Sequence, residues 1–467
     1  MASRATAALV LAAGLGSRFG GGKLLANVGG KPILQHVLDR LAEAGLDDAI
    51  VVLGRDAAAI ESAINWRAER RVINPDPERG LASSLEIGMK AIGPEAAAVL
   101  IVLGDQPMIA VTTIQRLIDA PADPLRPVVV PAYANDSGRN PTLVRRAAFG
   151  LVDDASGDRG LGPVLASHPE LVHEIAMGGD NPDVDTSADL ARAVEASWAA
   201  RVRANREQVE RIREVPDGAD FYAPVRSLFR ADPARTDDPV LNALLRLVRS
   251  GERWLDVGAG AGRFALPIAR ALDPSGGAVV ALDPSTSMLE SLREIAEDYA
   301  IENVRTVEAR WPTADPSVFE ADVALIAHVG YDVEAIGPFV DAMEEAARRL
   351  CVAVLMERPP AAAADPFWPK VHEESRAPLP ALPDLVELLE VRGRRPSITR
   401  VLTERRRFES RDALEGFVRR QLWIDPAGMK EARFQAALDE LAVADSDGWS
   451  IGSLPEIDIG IVTWTPR

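Results

Sequence analysis

The chain has 467 residues, of which 47% are hydrophobic and 26% are charged, and its formal net charge is -18. This length predicts two domains, while the acidic charge argues against a nucleic-acid partner, because phosphate backbones are bound by basic surfaces. The single cysteine, Cys351, excludes a disulfide framework and a cysteine-based zinc site. No apolar run approaches about 18 residues, so we expect no membrane span and a cytoplasmic protein.

Residues 1–197 alternate apolar runs with amphipathic helical patterns. The apolar N-terminal stretch is interpreted as a first strand rather than a signal peptide, because glycines and charge follow it. Further strands are predicted at AIVVLG, RRVIN, AAVLIVLGD and PVVVP, and a helix at PILQHVLDRLAEAG. Apolar runs without alternation are typical of strands buried on both faces of a parallel sheet. We therefore predict an α/β layered domain here.

A helical, Ala- and Arg-rich stretch follows, and residues 198–219 are predicted as a helical linker, broken by PDG at 216–218. A second alternation of strands and helices then begins, with strands at RWLDV, AVVALD, NVRTVE, ADVALIA and CVAVLME. Residues 220–467 are predicted to form the second domain. The predicted fold class is α/β, with two doubly wound Rossmann-like domains.

The stretch LVLAAGLGSRFGGGK at residues 9–23 joins a strand to a glycine-rich loop with two cations. It departs from the P-loop pattern twice, at Ser17 and at Leu24, and from the dinucleotide fingerprint at Phe19. Together with the following GGKPILQHV, it resembles the N-terminal signature of the MobA-like nucleotidyltransferases. Within this family it is most similar to the molybdenum cofactor cytidylyltransferases.

The resemblance implies a loop that wraps a nucleoside triphosphate. Arg18 and Lys23 would be catalytic cations that neutralise the phosphates, and the glycines would let the backbone approach them. The chain reads LAAG where guanylyl-transferring relatives usually read LAGG, which favours CTP over GTP. A second matching segment, NPDPERGLASSLEIGM at 74–89, adds a serine near the nucleoside. The implied nucleotide-binding residues are Leu11, Ala12, Ala13, Gly14, Gly16, Ser17 and Ser84.

Two later segments resemble the metal-binding parts of the family. VLIVLGDQP at 99–107 is similar to the strand that ends in a metal ligand, and NPDVDTSADL at 181–190 is similar to the D-x-D-T-x-x-D-L ending. The resemblance implies that Asp105 and Asp185 hold Mg²⁺, which prefers hard oxygen ligands. It also places Asp105 in the catalytic set with the two loop cations.

The segment GRNPTLVRRAAF at 138–149 resembles the acceptor side of the family, although Asn140 stands where a histidine is commoner. The implied reaction transfers CMP from CTP to a phosphorylated acceptor, here the molybdopterin form of molybdenum cofactor, and releases pyrophosphate. A phosphate monoester has a second pKa of about 6 and therefore needs no general base at neutral pH. A sugar or alcohol phosphate would share most of these motifs and stays open as the acceptor.

The second glycine-rich loop, RWLDVGAGAGR at 253–263, is followed about twenty residues on by ALDPS. A nicotinamide site would want glycine at Arg263. The pattern instead resembles class I methyltransferases that use S-adenosylmethionine. Glu308 stands where that family often has Gly-Asp. His328 is a candidate general base, although a lone histidine at a strand end is more often a structural hydrogen-bonding residue. The cofactor-binding residues that the resemblance implies are Asp256, Gly258, Gly260, Gly262 and Asp283.

These patterns leave three functional hypotheses. The leading one is a cytoplasmic enzyme with a cytidylyltransferase domain and a methyltransferase domain of unknown substrate. In the second, the N-terminal half is a nucleotide sensor or carrier that delivers molybdenum cofactor to a molybdoenzyme. In the third, methylation is the main activity and the first domain is a binding module. Taken singly, each first-domain residue also has a structural explanation. Gly14 and Gly16 would form an ordinary tight turn, Lys23 would be a surface lysine, and Asp105 would cap the helix that follows it.

Overall fold

The computed structural model describes residues 6–134, 138–215, 230–313, 319–452 and 454–467. The chain divides into two compact units, Met1–Ser197 and Trp198–Arg467. Each unit has a seven-stranded sheet connected through helices, which confirms the predicted α/β class. The helix break predicted at 216–218 and the second-domain start predicted at 220 lie outside the described residues.

The sheet of the first unit has the order β5-β4-β1-β6-β8-β7-β9. All neighbouring strands are parallel except β8, which runs antiparallel to both β6 and β7. The sequence predicted a parallel sheet and assigned no strand to β8. The strands are β1 Thr6–Ala12, β2 Asn27–Val28, β3 Lys31–Pro32, β4 Ala49–Leu53, β5 Arg70–Ile73, β6 Ala98–Leu103, β7 Val128–Tyr133, β8 Thr142–Arg145 and β9 Val172–Met177.

The helices of this unit follow their strands. The first one forms because its apolar residues recur every three or four positions, so that Ile33, Val37 and Leu41 share one buried face. It stops where Gly45 takes a φ of 80°, a left-handed conformation that favours glycine. The helices are α1 Ile33–Glu43, α2 Ala57–Ala63, α3 Leu81–Lys90, α4 Val111–Ile118, α5 Gly162–Ser167 and α6 Ser187–Ile212, which runs past the division between the units.

Strand β1 is the centre of this sheet. Its residues from Ala7 to Ala12 are buried, and it pairs with β4 on one side and β6 on the other. The chain order reverses here, since β4 and β5 lie to one side and β6 to the other. In such sheets ligands bind where the strands end, at the point of reversal. The loop after β1 and the residues after β6 therefore occupy the ligand-binding edge.

The second unit repeats this plan with the order β12-β11-β10-β13-β14-β18-β15. Strands β10 to β14 are parallel, and β18 is antiparallel to both β14 and β15. The reversal of chain order lies between β10 and β13. The strands are β10 Arg253–Val257, β11 Ala278–Asp283, β12 Val304–Glu308, β13 Ala321–Ala327, β14 Ala347–Met356, β15 Ser397–Thr403, β16 Ala442–Asp445, β17 Gly448–Ile451 and β18 Ile457–Trp464.

Helices lie between β14 and β15 and again between β15 and β18. The stretch PPAAAADPFWPK, predicted as a loop, contains a short helix because Phe367 and Trp368 are fully buried in an apolar cluster with Phe434. Cys351 lies buried in β14. No described helix is long and apolar enough to cross a bilayer. The helices are α7 Pro239–Leu245, α8 Ala265–Leu272, α9 Thr286–Asp298, α10 Ile336–Ala346, α11 Trp368–His372, α12 Leu382–Val391, α13 Arg411–Leu422 and α14 Glu431–Leu441.

Candidate functional site

The loop after β1 is folded around one carbonyl group. The backbone N–H groups of Phe19, Gly20 and Gly21 all donate to the carbonyl oxygen of Gly16, at 3.0, 3.1 and 3.3 Å. Gly16 has a φ of 56°, in the left-handed region. A Cβ at Gly14 would meet nothing within 4 Å, so the loop presents open backbone there. This is a surface that a phosphate group can approach closely.

Lys23 lies at the end of this loop and links it to two carboxylates. Its Nζ donates to Asp105 Oδ2 at 2.5 Å and to Asp185 Oδ1 at 3.1 Å. The side chain is only 10% exposed, so these contacts are shielded from water. Burial opposes the charged ammonium, but attraction to Asp105 and then to Asp185 outweighs it, and the pKa of Lys23 is raised. The ammonium therefore stays charged at neutral pH.

Arg18 is the second cation of the loop and has a different setting. Its Nη1 donates to Asp185 Oδ2 at 3.1 Å, but its side chain is 78% exposed. An exposed pair of this kind contributes little to folding stability. Arg18 is therefore free to move towards a ligand, whereas Lys23 is held in the wall of the site.

The two carboxylates that contact Lys23 come from separate segments of the chain. Asp105 lies just after β6, and its backbone carbonyl accepts from the N–H of Val184, which brings the 181–185 segment alongside. Asp185 is fixed by its own backbone N–H, which donates to Asp189 Oδ2 at 3.1 Å. The two predicted metal ligands therefore lie together around Lys23.

Asp183 is a third carboxylate in the same place, and the sequence analysis did not select it. Burial raises its pKa first, followed by repulsion from Asp105 and Asp185, although Gln106 donates to it at 2.7 Å. The signal was present in the sequence, because Asp183 and Asp185 are spaced as D-x-D at a loop end.

These residues surround a cavity of about 440 Å³, within the range of small-molecule sites. Every residue that the sequence assigned to the first site lines it, together with Leu15, Leu24, Pro77, Glu78, Gly80, Leu81, Leu103, Asp158 and Asp183. Ser84 is buried at the first turn of α3, where its hydroxyl accepts from Asn74 Nδ2 at 2.9 Å. Asn74 donates equally to Ser83, so one amide fixes both serines.

The donor set fits a divalent cation. Asp105 Oδ1 is buried and has no hydrogen-bond partner among the described residues, so this oxygen can still accept a bond from a ligand or a metal ion. Within the described ranges no three acidic, histidine or cysteine side chains are arranged to hold a metal ion by themselves. Mg²⁺ is commonly held by one or two carboxylates, with substrate phosphates and water completing the shell. Asp105 and Asp185 suit that role.

The predicted acceptor segment lies elsewhere in the unit. The carbonyl of Asn140 accepts from the hydroxyl of Tyr133 at 3.2 Å and from Asn181 Nδ2 at 3.4 Å. Asn140 is not among the described residues that line the cavity. Its contacts with Asn181 nevertheless connect it to the segment that carries Asp183 and Asp185.

The loop after β10 in the second unit is also built on glycines. Gly258, Gly260 and Gly262 have φ values of 74°, 55° and 82°. A Cβ on Gly258 would lie 2.4 Å from the Val329 side chain, and one on Gly262 would lie 2.8 Å from Leu266. A Cβ on Gly260 would meet nothing within 4 Å. Two of the glycines thus serve packing, and the third faces open space.

Asp283 at the end of β11 holds this loop in place. One carboxylate oxygen accepts from the N–H of Gly260 at 2.9 Å, and the other accepts from the N–H of Ser285 at 2.8 Å. Asp256 lies in β10 with only 3% exposure. Burial, then repulsion from Asp283, raises the pKa of Asp256 to about 7. The predicted cofactor residues therefore lie on one loop and the strand ends beside it.

Two further predicted positions flank this loop. Glu308 pairs in register with Asp283 at the end of β12 and is exposed. His328 follows β13 with a φ of 57°, and its Nδ1 is 3.5 Å from the hydroxyl of Tyr331. Burial, then the charge of Arg263, lowers the pKa of His328 to about 4. A histidine in this setting is neutral at physiological pH and is a weak base.

Comparison with known proteins identifies both halves. Residues 8–172 match the family described as MobA-like NTP transferase domain, and residues 255–351 match the family described as methyltransferase domain. The chain is 30% identical over 196 residues to nicotine blue oxidoreductase of Paenarthrobacter nicotinovorans, covering 39% of this chain and 94% of that protein.

Two other similarities concern the first unit. The chain is 29% identical over 141 residues to the bifunctional protein GlmU of Exiguobacterium sibiricum, covering 30% of this chain and 31% of that one. It therefore spans about a third of the length of that relative. The crystal structure of Rv0371c from Mycobacterium tuberculosis matches 42% of this chain and 100% of its own, with 34% identity and a TM-score of 0.39.

Proposed function

The chain belongs to the MobA-like NTP transferase family and also carries a methyltransferase domain, and from this premise we propose a substrate for the first unit. The first unit transfers CMP from CTP to a phosphorylated acceptor in a Mg²⁺-dependent reaction, and the acceptor is the molybdopterin form of molybdenum cofactor. The observation that carries this proposal is the cluster of Lys23, Asp105 and Asp185 beside the open backbone of the glycine loop.

The charges of the cluster suit a metal-bound triphosphate. Lys23 and Arg18 supply two positive charges to the cavity, whereas five carboxylates line it: Glu78, Asp105, Asp158, Asp183 and Asp185. The carboxylates are thus in excess when no ligand is present, and a divalent cation offsets that excess. When bound, Mg²⁺ draws negative charge from the phosphate oxygens and aligns them for displacement. Asp105 and Asp185 would hold it, and Asp183 would assist through its proximity.

In the proposed reaction, an oxygen of the acceptor phosphate forms a bond to the α-phosphorus of CTP. The bond between that phosphorus and the bridging oxygen breaks, and pyrophosphate leaves with the electron pair. Lys23, held in the wall, stabilises the charge that develops on the phosphates. Arg18, on the exposed side of the site, stabilises the charge of the leaving pyrophosphate. The acceptor is already an anion, which agrees with the absence of histidine among the described cavity-lining residues.

The test is pyrophosphate release by the full chain with Mg²⁺ and each of the four nucleoside triphosphates, with and without molybdopterin cofactor. The proposal predicts release only with CTP and cofactor together, and its loss in Asp105→Asn. Asp154→Asn, an exposed acid outside the cavity, is the matched control and should retain full activity. Release with CTP and a sugar or alcohol phosphate instead would show that the acceptor is different. Release with GTP and not with CTP would show that the nucleotide substrate is GTP.

The cofactor-delivery hypothesis predicts a different result. A protein that only carries molybdenum cofactor to a molybdoenzyme would bind CTP or cofactor without releasing pyrophosphate. In that case Asp105→Asn would retain delivery to an apo-molybdoenzyme. We propose the enzymatic alternative because Lys23 and Asp105 are both present and in contact.

A second candidate for the first unit follows from the name of nicotine blue oxidoreductase, which describes a redox reaction. Although the loop departs from the dinucleotide fingerprint at Phe19, its open backbone and two cations would also contact the diphosphate of a reduced nicotinamide dinucleotide. That chemistry gives no role to paired metal ligands, so its rate should not change in Asp185→Asn. Dye-coupled oxidation of reduced nicotinamide dinucleotide, with no divalent metal, would support this candidate over the first.

For the second unit we propose methyl transfer from S-adenosylmethionine. Gly258, Gly260 and Gly262 would face the methionine end of the cofactor, with Asp256 beneath the loop. Asp283, which the backbone N–H groups of Gly260 and Ser285 hold in place, would accept from the ribose hydroxyls. Titration of the full chain with S-adenosylhomocysteine tests this, and an Asp283→Ala protein that binds it normally would contradict the proposal.

A further inference from the structure

The second unit contains a cavity of about 370 Å³ that the proposed cofactor residues do not line. It lies where β14 ends and β18 begins, with Met356 on one side and Ile457 on the other. Prolines, alanines, Phe417 and Leu454 make most of its wall apolar. A cavity of this size and character accepts one small molecule and not a macromolecule.

Arg406 supplies a positive charge to this wall. Its guanidinium carbon is 4.4 Å from the ring centre of Phe417 and 5.5 Å from that of Phe408. Within the part of the chain that the structure describes, no hydrogen bond or ion pair reaches this guanidinium. Burial, followed by repulsion from Arg420 and Arg263, lowers its pKa, although the side chain is accessible to solvent.

Two of the three acids in the cavity wall, Glu357 and Asp458, already form ion pairs with another arginine. Arg400 pairs with both Glu357 and Asp458, and Arg358 pairs with Asp365. Glu456 is exposed and forms no described ion pair with Arg406. The charge of Arg406 is thus available to a ligand. The packing of its guanidinium on two aromatic rings fixes the plane in which its N–H groups donate.

The cavity lies at the same edge of the sheet as the glycine loop. Strands β10, β13 and β14 are parallel, so their carboxyl ends share an edge, and the antiparallel β18 starts there. Arg263, which follows Gly262 directly, is near enough to lower the pKa values of both Arg406 and His328. The N–H of Met356 in the cavity wall donates to the hydroxyl of Tyr331, which in turn lies beside His328.

We propose that this cavity is the methyl-acceptor site of the second unit, that its ligand is an apolar, ring-containing monocarboxylate, and that Arg406 anchors the carboxylate. The proposal rests on the proposed methyltransferase function. The apolar wall excludes a nucleotide or other polyphosphate, which would leave most of its charges unpaired. The carboxylate takes the charge-assisted pair with Arg406, and the group that receives the methyl lies on another part of the molecule.

The test is calorimetric titration of the full chain with 1-naphthoate and with neutral 1-naphthamide, which has the same rings and no charge. We expect naphthoate to bind about tenfold or more tightly than naphthamide, since a hydrogen-bonded charge pair gives this order of preference. Arg406→Gln should abolish the preference, and Arg406→Lys should keep part of it. Arg395→Gln, at an exposed arginine outside the cavity, is the control and should keep all of it.

Equal affinity of the wild-type chain for the two probes would overturn the proposal, as would a preference that survives Arg406→Gln. If Arg406→Gln fails to fold, the wild-type preference and its reduction in Arg406→Lys decide the matter. Parallel titration with S-adenosylhomocysteine separates the two proposals. Naphthoate preference without S-adenosylhomocysteine binding would leave the carboxylate site standing and remove its assignment to methyl transfer. The reverse pattern would remove the carboxylate site alone.

Discussion

The two units place a glycine-rich loop at the same point of the same kind of sheet, but the charged side chains on and beside the two loops differ. The loop after β1 carries Lys23 and Arg18, whereas Asp256 and Asp283 flank the loop after β10. The difference agrees with the proposed ligands, because the cations of the first loop would contact the phosphates of a triphosphate, whereas Asp283 would accept from the ribose hydroxyls of S-adenosylmethionine. Backbone geometry alone therefore specifies a loop for close approach, and the neighbouring charges select the ligand.

The manner in which the charges are held also differs. Lys23 is neutralised by side chains, which can separate when phosphates and a metal arrive. Asp283 is held by two backbone N–H groups, which fix the loop whether or not a ligand is present. We infer that the first site rearranges its ion pairs on binding, whereas the second is formed in advance. The following predictions test this comparison.

The largest effect is expected for Lys23→Met. The substitution removes the cation that faces both carboxylates and leaves Asp105 and Asp185 repelling each other and the substrate. We expect kcat for pyrophosphate release to fall by about 100- to 1000-fold, the range typical of losing one charge-stabilising donor. Lys90→Met, which removes only an exposed pair with Glu86, should leave kcat unchanged. A loss smaller than tenfold would show that the cluster is structural.

Asp283→Ala should weaken binding of S-adenosylhomocysteine by about 100-fold, because the loop amides lose their acceptor as well as the ligand losing a partner. Calorimetric titration measures the change. Asp298→Ala at the exposed end of α9 is the control and should bind normally. Normal binding by Asp283→Ala would mean that the loop does not depend on this carboxylate.

Asp256 should make the second unit sensitive to pH. Its folded-state pKa of about 7 lies above its ordinary value of 3.8, so folding favours the protonated form. The stability that this group contributes is therefore complete below pH 3.8 and is lost as the pH rises to about 7. Asp256→Asn should be more stable than wild type by about 4 kcal/mol at pH 8 and show no such gain at pH 4. Chemical unfolding of the ligand-free protein at both pH values decides this, and an equal difference at the two would contradict it.

Arg18→Gln should have the smallest effect. The side chain is 78% exposed, so losing its pair with Asp185 should change the free energy of unfolding by less than about 0.5 kcal/mol. We expect KM for CTP to rise by about three- to tenfold, because one phosphate contact is lost. Steady-state kinetics and thermal unfolding measure the two quantities. A large loss of stability with unchanged KM would reverse the roles assigned to Arg18 and Lys23.

Much of this arrangement follows from local sequence. Central strands were predictable because β1 and most of β10 consist of apolar residues, and the loops after them because glycine permits positive φ. All the first-site residues implied by the family resemblance line one cavity. Neighbours along one loop or one strand end stay neighbours in the fold, so motifs transfer well.

The remainder depends on contacts between distant parts of the chain. The antiparallel β8 was not predicted, because its direction is set by pairing with β6 and β7 rather than by its own residues. The D-x-D spacing marks Asp183 in the sequence, but its proximity to Asp105 depends on the fold, which brings the 181–185 segment alongside. Arg406 sits in an arginine-rich run, and only the packing of Phe408 and Phe417 distinguishes it from its neighbours.

The most direct test of the comparison is a pair of calorimetric titrations, with Mg²⁺-CTP and with S-adenosylhomocysteine, applied to Lys23→Met and Asp283→Ala. The account predicts that Lys23→Met loses binding of CTP and keeps that of S-adenosylhomocysteine, while Asp283→Ala does the reverse. A substitution that weakens the binding of both ligands, or of neither, would contradict the assignment of one ligand to each loop.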